Sequence, residues 1–426
     1  MEFEVLRRGH LKRNIIIAVI VVLIISAIVL TFTRAKYRTS YSVPLINGTI
    51  NYTPYDFKIL AMYQESDTGG YVEIDKMPSS GYVINEEKSY CTVDNVNKDP
   101  DAQLFTNELG QHVVAGLSKS SKCYLYFDEY NSPRTMPEII ADYNIGNRGS
   151  FDSAYTTETT NTVFTTTDWK GTSYYFAGAP TDNWVQFGGF YWRIVRINGD
   201  GSVRLIYNGT STTTTGDGTM INNGADQTFN SSYDRSEYVG LKYTTGQQHG
   251  QNTNSNMLVA LQSWYSSSGL SASQYSQYID TSVGFCSDRN MASGYSWSSR
   301  PSSDIYYAAY GRLVTSKSPS LLCTSTDIIT ESVGLITADE IAFAGGVSGT
   351  SNTSYYLYTG QVYWTMSPYY FNGTKGRASM FRMESNGALH SICVVDTRGV
   401  RPVINLKADT IFTGKGTVSN PYTVVL

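Results

Sequence analysis

The chain has 426 residues, room for two or three domains of ordinary size. Only 16% of them are charged, against a typical quarter, so the polar surface must come from Ser, Thr, Asn, Gly and the 34 Tyr. With 32 Lys and Arg against 36 acids there is no basic excess to hold nucleic acid. Four histidines leave little for an imidazole-built metal site, and no Walker-type or dinucleotide glycine motif occurs.

Asn14–Thr33 is an apolar run without a charge. As a helix, its aliphatic part Ile15–Phe32 would be about 27 Å long, close to a hydrocarbon core of about 30 Å. Arg7, Arg8, Lys12 and Arg13 precede it, and Arg34, Lys36 and Arg38 follow, a bias too small to set orientation. A cleaved signal peptide shares the basic start, but its apolar segment is shorter and a small-x-small site is wanting here. The expectation is a cytoplasmic tail (1–13), a transmembrane anchor (14–33) and a single-pass protein of the cell membrane with most of its chain extracellular. The membrane is then its first partner. Taking the seven basic and two acidic residues out of the first 38 leaves 25 basic and 34 acidic, a net charge of −9 that favours solubility.

The five cysteines all follow this run, and none forms a CxxC pair, so structural zinc, iron–sulfur and thioredoxin-like readings have no support. Cys91 with Cys123, and Cys286 with Cys323, are the pairs expected to close loops in oxidising surroundings; five buried thiols are the alternative. Cys393 is left over in SICVV. His390 lies three residues away, and on a strand that places it on the opposite face, so no activated thiol is expected.

Residues 39–130 carry short strand-like runs, Asp56–Tyr63, Gly70–Asp75 and Lys122–Asp128, separated by DTGG and PSSG turns. They predict a small all-β domain. After Pro133 come a short helical piece, MPEIIADYN, and a Ser/Thr/Asn-rich stretch to about Thr167 that reads as linker or wrapping loop. Asn183–Gly209 then predicts a β-hairpin, with alternating apolar residues on both sides of NGDG. Residues 210–255 read as long surface loops, and Asp217 alone is far from a calcium site. Asn256–Tyr265 has the three-to-four spacing of an amphipathic helix. Thr337–Gly346 predicts a second helix, with Thr337 and Glu340 as a capping box and the glycines as its end. Tyr355–Pro368 predicts two short strands around a Tyr-Thr-Gly turn. Arg377–Met383 and Ala388–Val395 flank an Asn386-Gly387 hairpin turn, and Arg401–Leu406 is a further strand. Since no hairpin buries a face alone, these elements predict one domain over 140–426.

The blocks FGGFYWRIVRINGDGSVRLIY, VGLITADEIAFAGG, YWTMSP and GVRPVINL fall within Phe187–Tyr207, Val333–Gly346 and Tyr363–Leu406. In these the chain resembles a widespread uncharacterised family of exported bacterial proteins with a C-type-lectin-like domain. That architecture is related to formylglycine-generating enzymes and to the variable receptor proteins of diversity-generating retroelements. The resemblance implies a β-rich α+β fold: a C-type-lectin-like C-terminal domain preceded by the small all-β domain and one transmembrane helix. It also implies a ligand surface near the last hairpins, which here holds Trp364, Tyr369, Tyr370, Phe371, Asn372, Arg377, Arg382, Asn386, His390 and Asp396. The calcium–sugar signatures of true C-type lectins and the reactive cysteine pair of the formylglycine-generating enzymes are missing, so neither metal-dependent sugar binding nor that catalysis carries over.

Aromatic side chains mixed with Asn, Ser and Gly make adaptable contact surfaces, and Ser367–Arg377 has that composition. The expected function is therefore a membrane-anchored extracellular binding module for a glycan or surface protein or peptide, acting through this loop. The runner-up is a structural cell-surface scaffold without a dedicated pocket. No cofactor or metal is expected. Enzyme chemistry is not indicated: there is no GxSxG elbow, and Asp339 and Glu340 suit the first turn of a helix better than a glycosidase pair.

Overall fold

A computed structural model describes residues 43–44, 58–66, 70–78, 81–93, 95–107, 110–129, 133–221 and 227–426. Among these residues no helix is long and apolar enough to cross a membrane. The longest, Asn256–Ser267, has 12 residues and reaches about 18 Å at 1.5 Å per residue, well short of a bilayer core. The run Asn14–Thr33 lies outside the described residues. The expected transmembrane helix, the cell-membrane localisation, the extracellular placement and the membrane as partner are corrected accordingly: nothing in the described chain carries them.

The chain divides into two compact units, one ending at Asn131 and the other running from Ser132 to Leu426. Among its described residues the first unit contains strands, turns and loops but no helix. Its main sheet joins β1 (Lys58–Glu65), β2 (Tyr71–Ile74), β3 (Tyr82–Ile84), β4 (Tyr90–Thr92) and β7 (Lys122–Glu129). A second sheet contains β5 (Gln103–Thr106) and β6 (His112–Ala115). Strand β7 lies in the middle, parallel to β1 and antiparallel to β3 and β4. Its alternate residues Cys123, Leu125 and Phe127 are fully buried, the two-residue period of a sheet with one covered face. Leu104 of β5 and Val114 of β6 complete that core. Cys91 stands directly opposite Cys123 in the register, and the two form a disulfide.

The second unit is β-rich α+β. A ten-stranded sheet includes β8 (Thr162–Asp168), β9 (Gly171–Tyr175), β10 (Trp184–Phe187), β11 (Phe190–Ile197), β12 (Val203–Tyr207) and β17 (Val403–Leu406). The expected hairpin is β11–β12, turned by Asn198–Ser202, where Gly201 takes a φ of +86° and donates its N–H to the Asn198 carbonyl. The sheet branches at β11, whose other edge is shared by β9 and β10, while β12 pairs onward with β17. Both faces are covered, so every residue from Trp192 to Ile197 is buried. A second sheet runs in the order β13 (Ile305–Tyr306), β14 (Tyr363–Asn372), β15 (Arg377–Met383), β16 (Leu389–Cys393). A disulfide joins Cys286 to Cys323, and Cys393 is a free thiol.

The helices of the unit include α1 (Met136–Ile140), α2 (Asn256–Ser267) and α3 (Ala338–Ala344), besides shorter helical turns such as Ala308–Tyr310. Ser255 caps α2 by accepting from the Leu258 N–H, and Met257, Leu258 and Leu261 form its buried stripe. Helix α3 carries the expected capping box and ends at Gly345.

Several segments depart from their expected form. The Thr-rich stretch before Thr167 supplies β8, with Val163 and Phe164 buried in the sheet, rather than a linker. Residues 210–255 are mostly irregular, but they drive Phe229, Val239 and Leu241 into the core. Tyr355–Pro368 contains one strand, beginning at Tyr363, rather than two. Ser367–Arg377 is not a loop: it is the end of β14, a short turn and the first residue of β15.

The stripe of α2 gives a direct test. Leu258→Ala should cost about 2–5 kcal/mol in urea unfolding. Val259→Ala, at a position 52% exposed, should change stability by less than about 0.5 kcal/mol.

Candidate functional site: a tyrosine cluster beside a buried ion-pair network

The ten residues expected to line one ligand surface are dispersed. Trp364 is fully buried, its ring edge-on to Phe229 and its Nε1 donating to the Gln227 carbonyl at 2.6 Å. Phe371 is a core residue at 1% exposure. Asn372 shapes the β14–β15 turn by accepting from the Lys375 N–H, and the exposed Arg377 lies over the Tyr233 ring. Arg382 is paired with Glu384. Asn386 donates to Ser351 Oγ and accepts from the Ala388 N–H, which holds the β15–β16 turn. His390, opposite Arg382 in the register, and Asp396 are exposed. Asn372 stands opposite Arg377 at one end of the seven-residue β15 and Asn386 lies past its other end, about 20 Å away at 3.3 Å per residue. Burial and distance therefore prevent the ten from forming one site.

Tyr369 and Tyr370 do belong to a site, with companions that sequence reasoning missed. Tyr306 of β13 stands directly opposite Tyr370, and their rings stack at 5.6 Å and 19°. Tyr310, four residues on in a helical turn, brings its ring to 4.1 Å from Tyr306. The β14–β15 register shifts between Pro368 and Tyr370, a bulge that breaks strict alternation along the strand. The Tyr369 ring then meets Tyr370 at 77° and Tyr310 at 75°, and packs below on Phe381. Tyr295, 40% exposed, closes the group against Tyr306. The other four are half-buried.

The hydroxyls distinguish this cluster from a core. Tyr307, next in sequence, is fully buried and donates to the Ser236 carbonyl. Among the described residues none of the five surface hydroxyls has a protein hydrogen-bond partner. Burial pushes the Tyr369 phenol up to about 12, with Tyr310, Tyr306 and Tyr370 adding to it, and burial likewise raises Tyr306. Both are protonated donors at neutral pH. The YYAAY run at Tyr306–Tyr310 was the available signal, but among 34 tyrosines it had no contrast.

Behind the cluster lies a network of buried charges. Glu340 accepts Arg196 Nε at 3.0 Å and pairs with Arg204 through one carboxylate oxygen. The other oxygen accepts the Thr337 N–H at 2.8 Å in the capping box. Asp168 takes Arg196 at 2.6 Å and the N–H groups of Lys170, Gly171 and Gly199. Arg312 forms a two-pronged pair with Asp339 and also reaches Asp288. Asn290 connects Asp288 to Asp327, whose fully buried carboxylate accepts from the Thr324 hydroxyl and lies 2.9 Å from His249 Nδ1. A cavity of about 20 Å³ lined by Arg196, Arg204, Asp288, Arg312, Asp339 and Glu340 has room for a single water.

Burial alone would raise the Glu340 carboxyl, but Arg204 and Arg196 hold it below the usual carboxylate range. Asp288 and Asp339 hold the Arg312 guanidinium charged against the cost of burial. Burial pushes the Cys393 thiol up, away from the thiolate form a nucleophile needs. Among the described residues no group of three His, Cys, Asp or Glu side chains is placed to hold a metal ion.

Glu340→Gln keeps the shape of the capping residue and strands two arginines, so it should cost about 3–5 kcal/mol in urea unfolding at neutral pH. A carboxylate with a depressed folded pKa stabilises above its unfolded pKa and loses that contribution as pH falls through the folded value. The stability gap between parent and variant should therefore be full at pH 7 and shrink progressively below pH 4.

No family model, curated protein or solved structure matches this chain, so the resemblance in Phe187–Tyr207, Val333–Gly346 and Tyr363–Leu406 gains no support from them.

Proposed function

We propose that the second unit is a non-catalytic recognition module whose contact surface is the cluster of Tyr295, Tyr306, Tyr310, Tyr369 and Tyr370, and whose partner is a polypeptide. This replaces the membrane-anchored module acting through a Ser367–Arg377 loop. The carrying observation is the set of contacting, partly exposed rings whose hydroxyls have no protein partner. Tyrosine gives a rigid apolar face and a polar tip at small entropic cost, which is why it is enriched where proteins meet. The charged groups support a structural role for the interior, since Glu340, Asp168, Asp339 and Asp288 each face an arginine.

The test is to pan the purified protein against a displayed random-peptide library, then rescreen enriched clones on the Tyr306→Ser/Tyr370→Ser variant. Clones that bind the parent and lose about 1–3 kcal/mol on the variant, roughly 5- to 150-fold, support the reading. No enrichment, or clones that bind both proteins equally, would overturn it.

A further inference from the structure

We infer that the occupant of the tyrosine cluster is a proline-rich segment in the left-handed, extended polyproline II conformation, an inference that rests on the cluster being a recognition surface. The first ground is the state of the backbone around the rings. On its inner side β13 is paired with β14, and the Tyr307 N–H donates to the Tyr369 carbonyl. On its outer side the Tyr306 carbonyl already accepts from the Ala292 N–H at 2.9 Å, and the Ala308 N–H donates to the Asn290 carbonyl at 2.8 Å. An incoming strand therefore finds no open edge here. An ordinary peptide laid across the rings would bring N–H groups with no backbone acceptor to meet them. Proline brings none.

The second ground is what the rings offer instead. A polyproline II segment makes no internal hydrogen bonds, so its carbonyls are open acceptors. The phenol hydroxyls have no protein partners and can donate, and burial raises those of Tyr369 and Tyr306. Donors and acceptors match.

The third ground is shape. The steep angles of Tyr369 to Tyr310 and to Tyr370 set ring faces against ring edges, giving angled apolar walls of the kind that take prolyl rings. One turn of polyproline II advances about 9 Å. Tyr306 touches both Tyr310 and Tyr370, with centroids 4.1 and 5.6 Å away, so these three rings span at most about that distance. A segment already fixed in this conformation also loses little freedom on binding, which favours a small contact area.

Fluorescence anisotropy of labelled ten-residue peptides, titrated with the full chain, tests the inference. An all-proline peptide should give a saturable rise in the sub-millimolar range, and a Gly/Ser peptide of equal length should give none. Tyr306→Ser/Tyr370→Ser should weaken the proline peptide at least tenfold. Tyr306→Phe/Tyr370→Phe, which keeps rings and fold, should weaken it severalfold through the lost donors. An unchanged thermal midpoint for the Phe pair separates lost binding from lost structure. No binding of the proline peptide at millimolar protein, or binding indifferent to both variants, would overturn the inference. If library clones still require the tyrosines while the proline peptide does not bind, only the occupant is wrong. If neither binds in a tyrosine-dependent way, the recognition reading falls with it.

Discussion

A single carboxylate, Glu340, ties the second unit together. One of its oxygens closes the N-terminus of α3, and the other receives arginines from both strands of the β11–β12 hairpin. A charge so deeply buried is tolerated only when its lone pairs are all engaged, and the surrounding geometry must be held to keep them so. The constraint runs both ways. Arg196 and Arg204 would be uncompensated without Glu340, and α3 would lose the bond that fixes its first turn.

From that point order spreads to the aromatic surface through short links. The Ala338 N–H donates to Ser367 Oγ, and the Met366 N–H donates to the Ile336 carbonyl. These bonds fix β14 just before the bulge that turns Tyr369 and Tyr370 toward Tyr306 and Tyr310. Asp339, the neighbour of Glu340, holds Arg312, two residues beyond Tyr310. Adjacent acids of one helical turn thus anchor the segments that carry the rings from two directions. A contact surface gains from such support, because rings held in place beforehand need less ordering when a partner arrives.

Local signals were legible where local chemistry decides structure. The NGDG turn, the Thr337–Glu340 box and the three-to-four spacing of α2 each name a hydrogen bond or a face within a few residues. Long-range burial was not. The arginines of FYWRIVRI and VRLIY look like solvent-facing strand positions, and only distant elements packed on that face, such as α3 with Glu340, cover Arg196 and Arg204. Ser367–Arg377 imitated a loop because Ser, Pro, Asn and Gly crowd it, yet Pro368 lies where the β14–β15 register shifts, a place that can spare an N–H. Trp364 and Phe371 carry the same aromatic signature as Tyr369 and Tyr370, and composition cannot tell a core ring from a surface one. The tyrosine cluster itself joins residues more than sixty positions apart, so no window along the chain contains it.

The contact between Ala292 and Tyr306 has a further effect. A short strand at the margin of a sheet normally offers its carbonyls to any other chain, and a margin flanked by tyrosines would be especially prone to such pairing. Because the Ala292 N–H occupies the outward carbonyl of Tyr306, copies of this protein can crowd together with their rings touching and still have no backbone ladder to extend there.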